Sequence, residues 1–440
     1  MSGHTIFALA SGAGRSGIAV IRISGPLARQ ALSALTRREL PPPRQASLRL
    51  LAMPESGEML DHALTLWFPA PHSFTGEDVV ELHLHGGRAV IAGVIEALSA
   101  LPDLRLAEPG EFTRRAFLAG KLDLTEVEGL ADLIDAETTA QRRQALRQMD
   151  GALSGLYEDW RTRLIRCLAH TEAAIDFADE ELPADMMLAI QAEVQGLRQE
   201  MQAHLADGRR GEMLREGFRI AIIGPPNAGK SSLLNWLAQR DAAIVSEIAG
   251  TTRDVIEAHL DLGGYSVLLA DTAGLRETVD GIEAEGIRRA RNWAAAADLQ
   301  LLVLDATQPE PVGTVSDAPM IRVLNKVDLK IKGHTCQSFP IDAMSISVRT
   351  GEGLDALLQK LTGLVAEKLD MAGTPSLTRE RHRAAVTLCV EALDRFLKGR
   401  AADLAAEDMR VALRALGRIT GQADVEDLLD VIFRDFCLGK

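Results

Sequence analysis

The stretch from Phe218 to Ser232 constrains the fold of this chain more than any other part of its sequence. An apolar run, FRIAII, leads into the spacing G-x-x-x-x-G-K-S from Gly224 to Ser231, and a helical pattern follows. This order of strand, loop and helix is typical of a P-loop, whose backbone N–H groups bind phosphates at a helix N-terminus. Lys230 is expected to reach the terminal phosphates and the Ser231 hydroxyl to bind Mg²⁺. The loop residues predicted to contact nucleotide are Asn227, Ala228, Gly229, Lys230, Ser231 and Ser232.

Three further motifs end apolar strands later in the chain. DTAG begins at Asp271, which is placed to hold the metal, and ends at Gly274, which can offer its N–H to the terminal phosphate. NKVD ends in Asp328, whose carboxylate can accept two N–H groups from guanine but meets no such donor pair on adenine. Together with a later Ser-Val pair, these motifs predict a GTP-binding domain. The residues assigned to the phosphates and the base are Asp271, Thr272, Ala273, Gly274, Asn325, Lys326, Asp328, Ser347 and Val348.

Two segments near these motifs bear on hydrolysis. SEIAGTTRD (246–254) is interpreted as a switch loop in which the Thr252 hydroxyl binds Mg²⁺, and a plain connecting loop is the alternative. Leu275 follows the DTAG motif, where many small GTPases have a glutamine that orients the attacking water. Leucine has no polar atom for this task. Either the chain does not hydrolyse its nucleotide, or the catalytic group comes from elsewhere.

Composition restricts the class of protein. A length of 440 residues predicts two or three domains, and 47% hydrophobic with 25% charged residues suits a globular protein. The sequence has neither a run of ~20 apolar residues nor a signal-peptide layout, so we expect a cytoplasmic protein with no membrane partner. The four cysteines are dispersed, which argues against a zinc site or disulfides. A net charge of −14 does not suit non-specific binding of nucleic acid, so an RNA partner would need a local basic patch or a companion protein.

The pattern along the chain predicts a multidomain protein, α/β plus all-α. Short apolar runs alternating with turns predict an N-terminal α+β domain over 1–120. Apolar positions at a spacing of three to four, such as the run from Leu146 to Leu168, predict long helices. Buried-strand runs alternating with helices predict a parallel sheet with helices on both faces. The expected order is an α/β P-loop GTPase domain (214–368) inserted into a helical domain (121–213 and 369–440).

Three segments outside the nucleotide motifs are long and specific: SFTGEDVVELHLHGG (73–87), AEPGEFTRRAFLAGKLDLTEVEGLADLIDAET (107–138) and the terminal FCLGK (436–440). Through these segments the whole chain resembles the MnmE (TrmE) family of tRNA-modifying GTPases. GPPNAGKSSLLN and IAGTTRD are similar also to the Era and Der group, so a ribosome-assembly GTPase is the alternative. That group lacks the other three segments. The chain departs from the family pattern in FCLGK, where F-C-I-G-K is common, and in ASGAGRSG, where T-P-P-G-R-G-G is usual.

The resemblance implies an activity, partners and a second ligand. Family members work with the FAD protein MnmG to add a (carboxymethyl)aminomethyl group to C5 of the wobble uridine of certain tRNAs. The carbon donor is a tetrahydrofolate derivative (5-formyl- or 5,10-methylene-tetrahydrofolate), and GTP hydrolysis is required. The N-terminal domains form a homodimer, which joins MnmG in a heterotetramer. The family's folate contacts map onto Arg22, Glu81, Lys121 and Lys440.

The residue types alone allow other interpretations of these positions. Arg22 could face solvent from its strand, and Lys121 could be a cation at a helix start, although the helix dipole disfavours it there. Two cations and a carboxylate nevertheless suit a folate, which has a glutamate tail and a pterin with donor and acceptor edges. Cys437 could be a nucleophile, as the family requires this cysteine for modification, or a small buried residue that anchors the tail.

The resemblance also implies a route to hydrolysis without glutamine. A potassium ion on the P-loop supplies positive charge, and an acid that maps to Glu283 orients the water. By chemistry alone Glu277 and Glu285 are rivals, and Asn227 could simply stabilise its turn. Pairing of two GTP domains would order these loops. The expected ligands are Ser231, Thr252 and Asp271 for Mg²⁺ and Asn227, Ser246, Ile248 and Thr251 for K⁺, and the expected catalytic residues are Lys230, Glu283 and Cys437.

Overall fold

The computed structural model describes most of the chain, in two compact units. The described residues are 3–12, 14–176, 186–240, 256–271, 292–308, 319–329, 342–370, 375–399 and 401–423, with 429, 432, 433, 436 and 439. The first unit contains Met1–Ala131, Tyr157–Arg161 and Leu413–Lys440, and the second contains Asp132–Leu156 and Thr162–Ala412. The domain limits predicted from the sequence stay predictions.

The first unit is built on a six-stranded sheet. Its strands are β1 (Thr5–Leu9), β2 (Ile18–Ser24), β3 (Ser47–Ala52), β4 (Met59–Phe68), β5 (Val79–His85) and β6 (Leu104–Leu106). The order is β3-β4-β5-β2-β1-β6, and every pair is antiparallel except β1 with β6. The alternation in β5 turns Val80, Leu82 and Leu84 towards a core beneath α1 (Ala28–Thr36) and α2 (Arg88–Ser99). Glu81 and His83 therefore project from the opposite face.

The C-terminal segment packs within this first unit. Phe433 and Phe436 join Leu124 and Val127 in one apolar cluster beside α3 (Glu111–Leu118) and α4 (Leu124–Asp135). Gly110, with φ +69°, lies so close to this segment that a Cβ atom there would be 2.5 Å from the Phe433 carbonyl oxygen. Only glycine satisfies both the left-handed backbone and the close approach.

The second unit contains another six-stranded sheet. Its strands are β7 (Phe218–Ile223), β8 (Ile256–Leu262), β9 (Tyr265–Asp271), β10 (Leu299–Asp305), β11 (Met320–Asn325) and β12 (Met344–Ser345), in the order β12-β11-β10-β7-β9-β8. Separate apolar clusters cover its two faces, one around Leu233 and Leu357 and the other around Ala294. This confirms the predicted α/β class. The sheet is parallel, as predicted, except at one edge, where β8 runs antiparallel to β9 across the tight turn at Gly263 and Gly264.

The remaining described helices precede the strands of this sheet in the sequence, lie between them or follow them. The described ones are α5 (Thr139–Met149), α6 (Ala152–Asp176), α7 (Met186–Leu205), α8 (Arg210–Glu216), α9 (Lys230–Arg240), α10 (Leu354–Leu369), α11 (Glu380–Leu397) and α12 (Ala402–Thr420). Gly151, at φ +84°, separates α5 from α6, so the apolar spacing predicted from Leu146 to Leu168 does not follow one helix. Leu146 is consequently exposed, whereas Leu153 and Leu164 are buried. Among the described residues, no helix is both long and apolar enough to span a bilayer.

Candidate nucleotide site and a second polar site

The predicted nucleotide motifs meet at one edge of the second sheet. Strands β7, β9, β10, β11 and β12 are parallel, so their carboxyl ends, with the described residues of the motifs, share that edge. Asn325 connects two of these motifs. Its amide donates to the Ala228 carbonyl (2.8 Å) and its side-chain oxygen accepts from the Val348 N–H (3.1 Å). A Cβ atom at Gly229 would lie 2.3 Å from this amide nitrogen, so the loop requires glycine there.

Lys230 is buried within the loop that it is expected to serve. Only 4% of the residue is exposed, and its ammonium donates to the carbonyls of Gly224 (2.8 Å) and Pro225 (2.7 Å). Burial lowers the pKa of Lys230, with Asp271 opposing this shift. A bound phosphate would give the ammonium a charged partner in place of two neutral carbonyls, which strengthens the interaction.

The two described Mg²⁺ candidates lie side by side. The Ser231 hydroxyl donates to Oδ2 of Asp271 over 2.5 Å, from the first turn of α9 to the end of β9. A hydroxyl and a carboxylate are hard oxygen donors, the type that Mg²⁺ prefers. The pair therefore fits a magnesium ion whose remaining positions are taken by phosphate oxygens and water.

The Asp328 carboxylate, the predicted partner of guanine, is held in its charged form. Ser347 donates to Oδ1 of Asp328 (2.6 Å), and the Arg349 guanidinium forms an ion pair with Oδ2 (2.7 Å). The Ser347 hydrogen bond, and then the Arg349 charge, hold the pKa of Asp328 below its ordinary value. The Arg349 side chain is 72% exposed, so it can move away without disturbing a core. The ion pair thus places a positive charge beside Oδ2 of Asp328.

Asp305 and Arg349 belong to this site although the sequence motifs did not identify them. Asp305 ends β10 and accepts from Lys326 (2.6 Å) and from the Thr307 hydroxyl (2.7 Å). Burial would raise the pKa of Asp305, but these hydrogen bonds outweigh it and hold the pKa below its ordinary value. The sequence did contain a signal for Asp305, because this residue ends an apolar strand just as Asp271 does. Arg349 carried no such signal.

The remaining predicted positions are two exposed P-loop residues and a set that lies outside the described residues. The P-loop residues Asn227, at φ +64°, and Ser232 are both exposed. The predicted or discussed residues that lie outside the described residues are Ser246, Ile248, Thr251, Thr252, Thr272, Ala273, Gly274, Leu275, Glu277, Glu283, Glu285, Cys437 and Lys440. Their roles stay predictions.

A second polar site lies on the first sheet, around Arg22. Arg22 on β2 is in register with Glu81 on β5, and its Nη2 and Nε atoms donate to Oε1 of Glu81 over 2.9 and 3.1 Å. The guanidinium also lies 5.4 Å from the ring centre of Phe74 and 5.8 Å from that of Phe112. The site thus combines an ion pair with two aromatic rings, which sequence reasoning alone did not associate.

An arginine clamp joins two of the sequence segments quoted above. Arg115 on α3 pairs with Glu77 and with Glu111, each over 2.9 Å, and Glu77 also accepts from Ser24 next to the Arg22 site. Burial opposes ionisation of Glu111, but hydrogen bonds from Arg105, the Glu108 backbone and Arg115 hold its pKa below its ordinary value. The clamp therefore fixes segments 73–87 and 107–138 together.

Lys121 and the C-terminal segment also lie in this first unit. Lys121 is next to Gly76, where an added Cβ atom would be 3.6 Å from Lys121 Cε. Gly439 lies against the end of β1, since a Cβ atom there would be 2.2 Å from the Leu9 carbonyl oxygen. The strand neighbour of Leu9, Ala8, is the register partner of Arg22.

The fold and the site define the chain as a P-loop nucleotide-binding protein of the GTPase class. Residues 5–121 match the family model for the GTP-binding protein TrmE N-terminus, and residues 124–437 match the model for the MnmE helical domain. The chain belongs to the MnmE (TrmE) family.

Curated relatives match along the full length of the chain. A tRNA modification GTPase MnmE of Parvibaculum lavamentivorans is 58% identical over 99% of this chain and 100% of its own length. One from Rhodospirillum rubrum is 54% identical over 100% of both chains. A mitochondrial 5-taurinomethyluridine tRNA synthase subunit of Homo sapiens is 51% identical over 100% of this chain and 94% of its own.

Proposed function

We propose that this chain is a GTP hydrolase that acts in the modification of tRNA. The observation that carries the proposal is the meeting of Lys230, Ser231 and Asp328 at one sheet edge, in a chain of the MnmE family. The relatives named above are tRNA modification enzymes by name. The finer reaction proposed is addition of a (carboxymethyl)aminomethyl group to C5 of the wobble uridine.

The nucleotide site favours GTP over ATP. Guanine offers Asp328 a pair of N–H donors. Adenine lacks this donor pair and would place acceptor lone pairs opposite the carboxylate. The neighbouring Asn325 already uses both ends of its amide on the protein, so it serves to align the loops. Ser231 and Asp271 would hold Mg²⁺, which supplies positive charge next to the phosphates.

For hydrolysis we assign two groups in place of the missing glutamine. Glu283 would orient the attacking water, and Asn227 would hold a potassium ion with Ser246, Ile248 and Thr251. The support from the described residues is the position of Asn227, exposed within the P-loop. Replacing Glu283 by Ala should abolish GTP hydrolysis and leave GTP binding intact. Sodium should fail to replace potassium, and full activity in sodium buffer would rule out the cation assignment.

The Arg22 site is the proposed folate site. Glu81 can accept from the donor edge of a pterin, the partly buried Phe74 offers a flat surface near Arg22, and Lys121 can pair with the glutamate tail. The fourth predicted contact, Lys440, lies outside the described residues. Titration of the protein with 5-formyl-tetrahydrofolate tests this assignment directly, and wild-type-like affinity in the variant Glu81→Ala would contradict it.

A homodimer through the first unit is supported by an exposed apolar patch on its sheet. Leu48 on β3 is paired in register with Leu64 on β4, and their side chains project from the face that α1 and α2 do not cover. They are 66% and 45% exposed, and neighbouring Leu50 is 39% exposed. Contiguous apolar patches of this kind mark interaction sites in proteins. Leu48→Glu with Leu64→Glu should shift the protein to monomers in analytical ultracentrifugation.

Three experiments test the partner protein and distinguish the rival functions. A tagged chain should recover the FAD protein MnmG, as expected for a heterotetramer, and recovery of ribosomal subunits would favour the Era/Der-like alternative. Wobble uridine should be unmodified in cells that lack this protein. Modification that persists with a non-hydrolysable GTP analogue would instead support a folate-dependent transferase for which GTP is only a structural ligand.

A further inference from the structure

Helix α5 carries a compact positive charge on a chain whose net charge is −14. Its sequence, TAQRRQALRQM, contains three arginines and no acidic residue. Arg142, Arg143 and Arg147 are all exposed, and Leu146 lies between them on the same side of the helix. A rise of ~1.5 Å per residue puts the three charges within about 8 Å along the helix axis. The acidic Asp150 follows at the C-terminal end.

The opposite side of α5 fixes this face in place. Thr138 and Gln141 form a capping box, and the Gln141 side chain donates to the Arg215 carbonyl (3.0 Å). Gln148 is buried and accepts from the Thr378 hydroxyl (3.0 Å) as well as from Gln144 (2.9 Å). The helix is therefore held by its polar, buried side, so the backbone that carries the arginines is ordered before binding.

Elsewhere in the second unit, arginines are usually neutralised by acids. Ion pairs join Arg163 to Glu193 and Glu200, Arg198 to Asp394, Arg209 to Glu212, Arg215 and Arg379 to Asp132, Arg383 to Asp207 and Glu212, Arg395 to Asp408, and Arg410 to Glu172 and Glu407. Within the described part of the chain, the arginines of α5 form no ion pair. They are a local exception to the pattern of compensated charge.

We propose that the exposed face formed by Arg142, Arg143, Leu146 and Arg147, the α5 basic face, contacts the phosphate backbone of the tRNA substrate. This inference rests on the proposed function, because tRNA is the partner that function requires. A guanidinium group binds phosphate oxygens in a bidentate fashion, so three of them within about 8 Å on one helix face can contact neighbouring phosphates of an RNA backbone. Because the overall field of an acidic chain repels a polyanion, direct contact with RNA requires a local basic patch of this kind.

The test measures the affinity of the full chain for tRNA as a function of salt. Fluorescently labelled wobble-uridine tRNA is titrated with wild-type protein and with the triple variant Arg142→Gln, Arg143→Gln, Arg147→Gln. Gln keeps a similar helix propensity, so α5 should remain folded. A control triple variant removes the same charge at exposed positions outside α5: Arg166→Gln, Arg210→Gln and Lys398→Gln. GTP affinity, which should stay at the wild-type value in both variants, reports that the fold is intact.

We expect the α5 variant to bind tRNA at least about tenfold more weakly at moderate salt. Its plot of log affinity against log salt should be shallower by about two to three units, one for each lost phosphate contact, and the control variant should resemble wild type. Wild-type affinity and slope in the α5 variant would overturn this inference while leaving the proposed function standing. No tRNA binding by the wild-type chain would count against both. If the α5 variant loses binding to the FAD protein but keeps its affinity for tRNA, the inference is also overturned, and the face belongs to a protein partner.

Discussion

The nucleotide site and the Arg22 site are assembled in opposite ways. The nucleotide residues stand at the ends of neighbouring strands, so the order of strands brings short contiguous motifs together. The Arg22 site takes Arg22 from β2, Glu81 from β5 and the rings of Phe74 and Phe112 from two other segments. Short contiguous motifs identify the nucleotide site from the residues alone. The contacts around Arg22 were predicted only from the family resemblance, and the two aromatic rings were identified only in the fold. In both sites the protein already supplies internal partners, which ligands must replace.

The largest difference between the two sites should follow from Lys230→Ala. Loss of a buried ammonium that binds phosphate should weaken GTP binding on the order of a hundred- to a thousandfold. Folate affinity should not change, because the two sites are in separate units. Titration with a fluorescent GTP analogue measures the first effect, and Lys360→Ala, an exposed lysine on α10, is the control. A loss below tenfold would show that the P-loop binds phosphate mainly through its backbone.

Arg115→Ala should lower the stability of the first unit, which contains the Arg22 site. Removal of a guanidinium that is only 10% exposed leaves Glu77 and Glu111 without their shared partner, and should cost about 3 kcal/mol of unfolding free energy. Chemical denaturation followed by circular dichroism measures this change, and the exposed control Arg88→Ala should stay within about 0.5 kcal/mol of wild type. Unchanged stability of the Arg115 variant would mean that segments 73–87 and 107–138 do not depend on the clamp.

Arg22→Ala should affect the second site alone. It removes the charge-assisted hydrogen bonds to Glu81 and one side of the ring-lined site, so affinity for 5-formyl-tetrahydrofolate should fall roughly tenfold or more. GTP affinity should stay within about twofold of wild type. Isothermal titration calorimetry with each ligand provides both values, and Arg49→Ala on β3 of the same sheet is the matched control. Equal losses for both ligands would contradict the separation of the two sites.

The smallest effect is expected at Arg349, and its sign is informative. The Arg349 guanidinium forms an ion pair with the carboxylate that guanine needs, so Arg349→Ala should tighten GDP and GTP binding by about two- to fivefold, the range of an exposed ion pair. The same substitution should have no effect in an Asp328→Asn background, where the attraction is lost. Weaker binding in Arg349→Ala would show instead that this arginine contacts the bound base.

The sequence predicted the α/β class, the strand ends that bear the motifs and the family, because each depends on local patterns. It did not predict the antiparallel edge strand β8, since the chain direction is decided by the tight turn at Gly263 and Gly264. It misassigned Leu146, because apolar spacing was followed across Gly151 into a separate helix. On α5 the buried side is mainly glutamine, held by hydrogen bonds, so hydrophobic periodicity gives no sign of it. Contacts such as Arg115 with Glu77 depend on distant pairing that no spacing encodes.

We expect wobble-uridine modification to require binding of GTP at the Lys230 loop. The most direct test restores cells that lack this protein with either the wild-type chain or the Lys230→Ala variant and measures the wobble nucleoside by mass spectrometry. The wild-type chain should restore the (carboxymethyl)aminomethyl group, and the variant, expressed at the same level, should leave unmodified uridine. Full modification with Lys230→Ala would contradict the account.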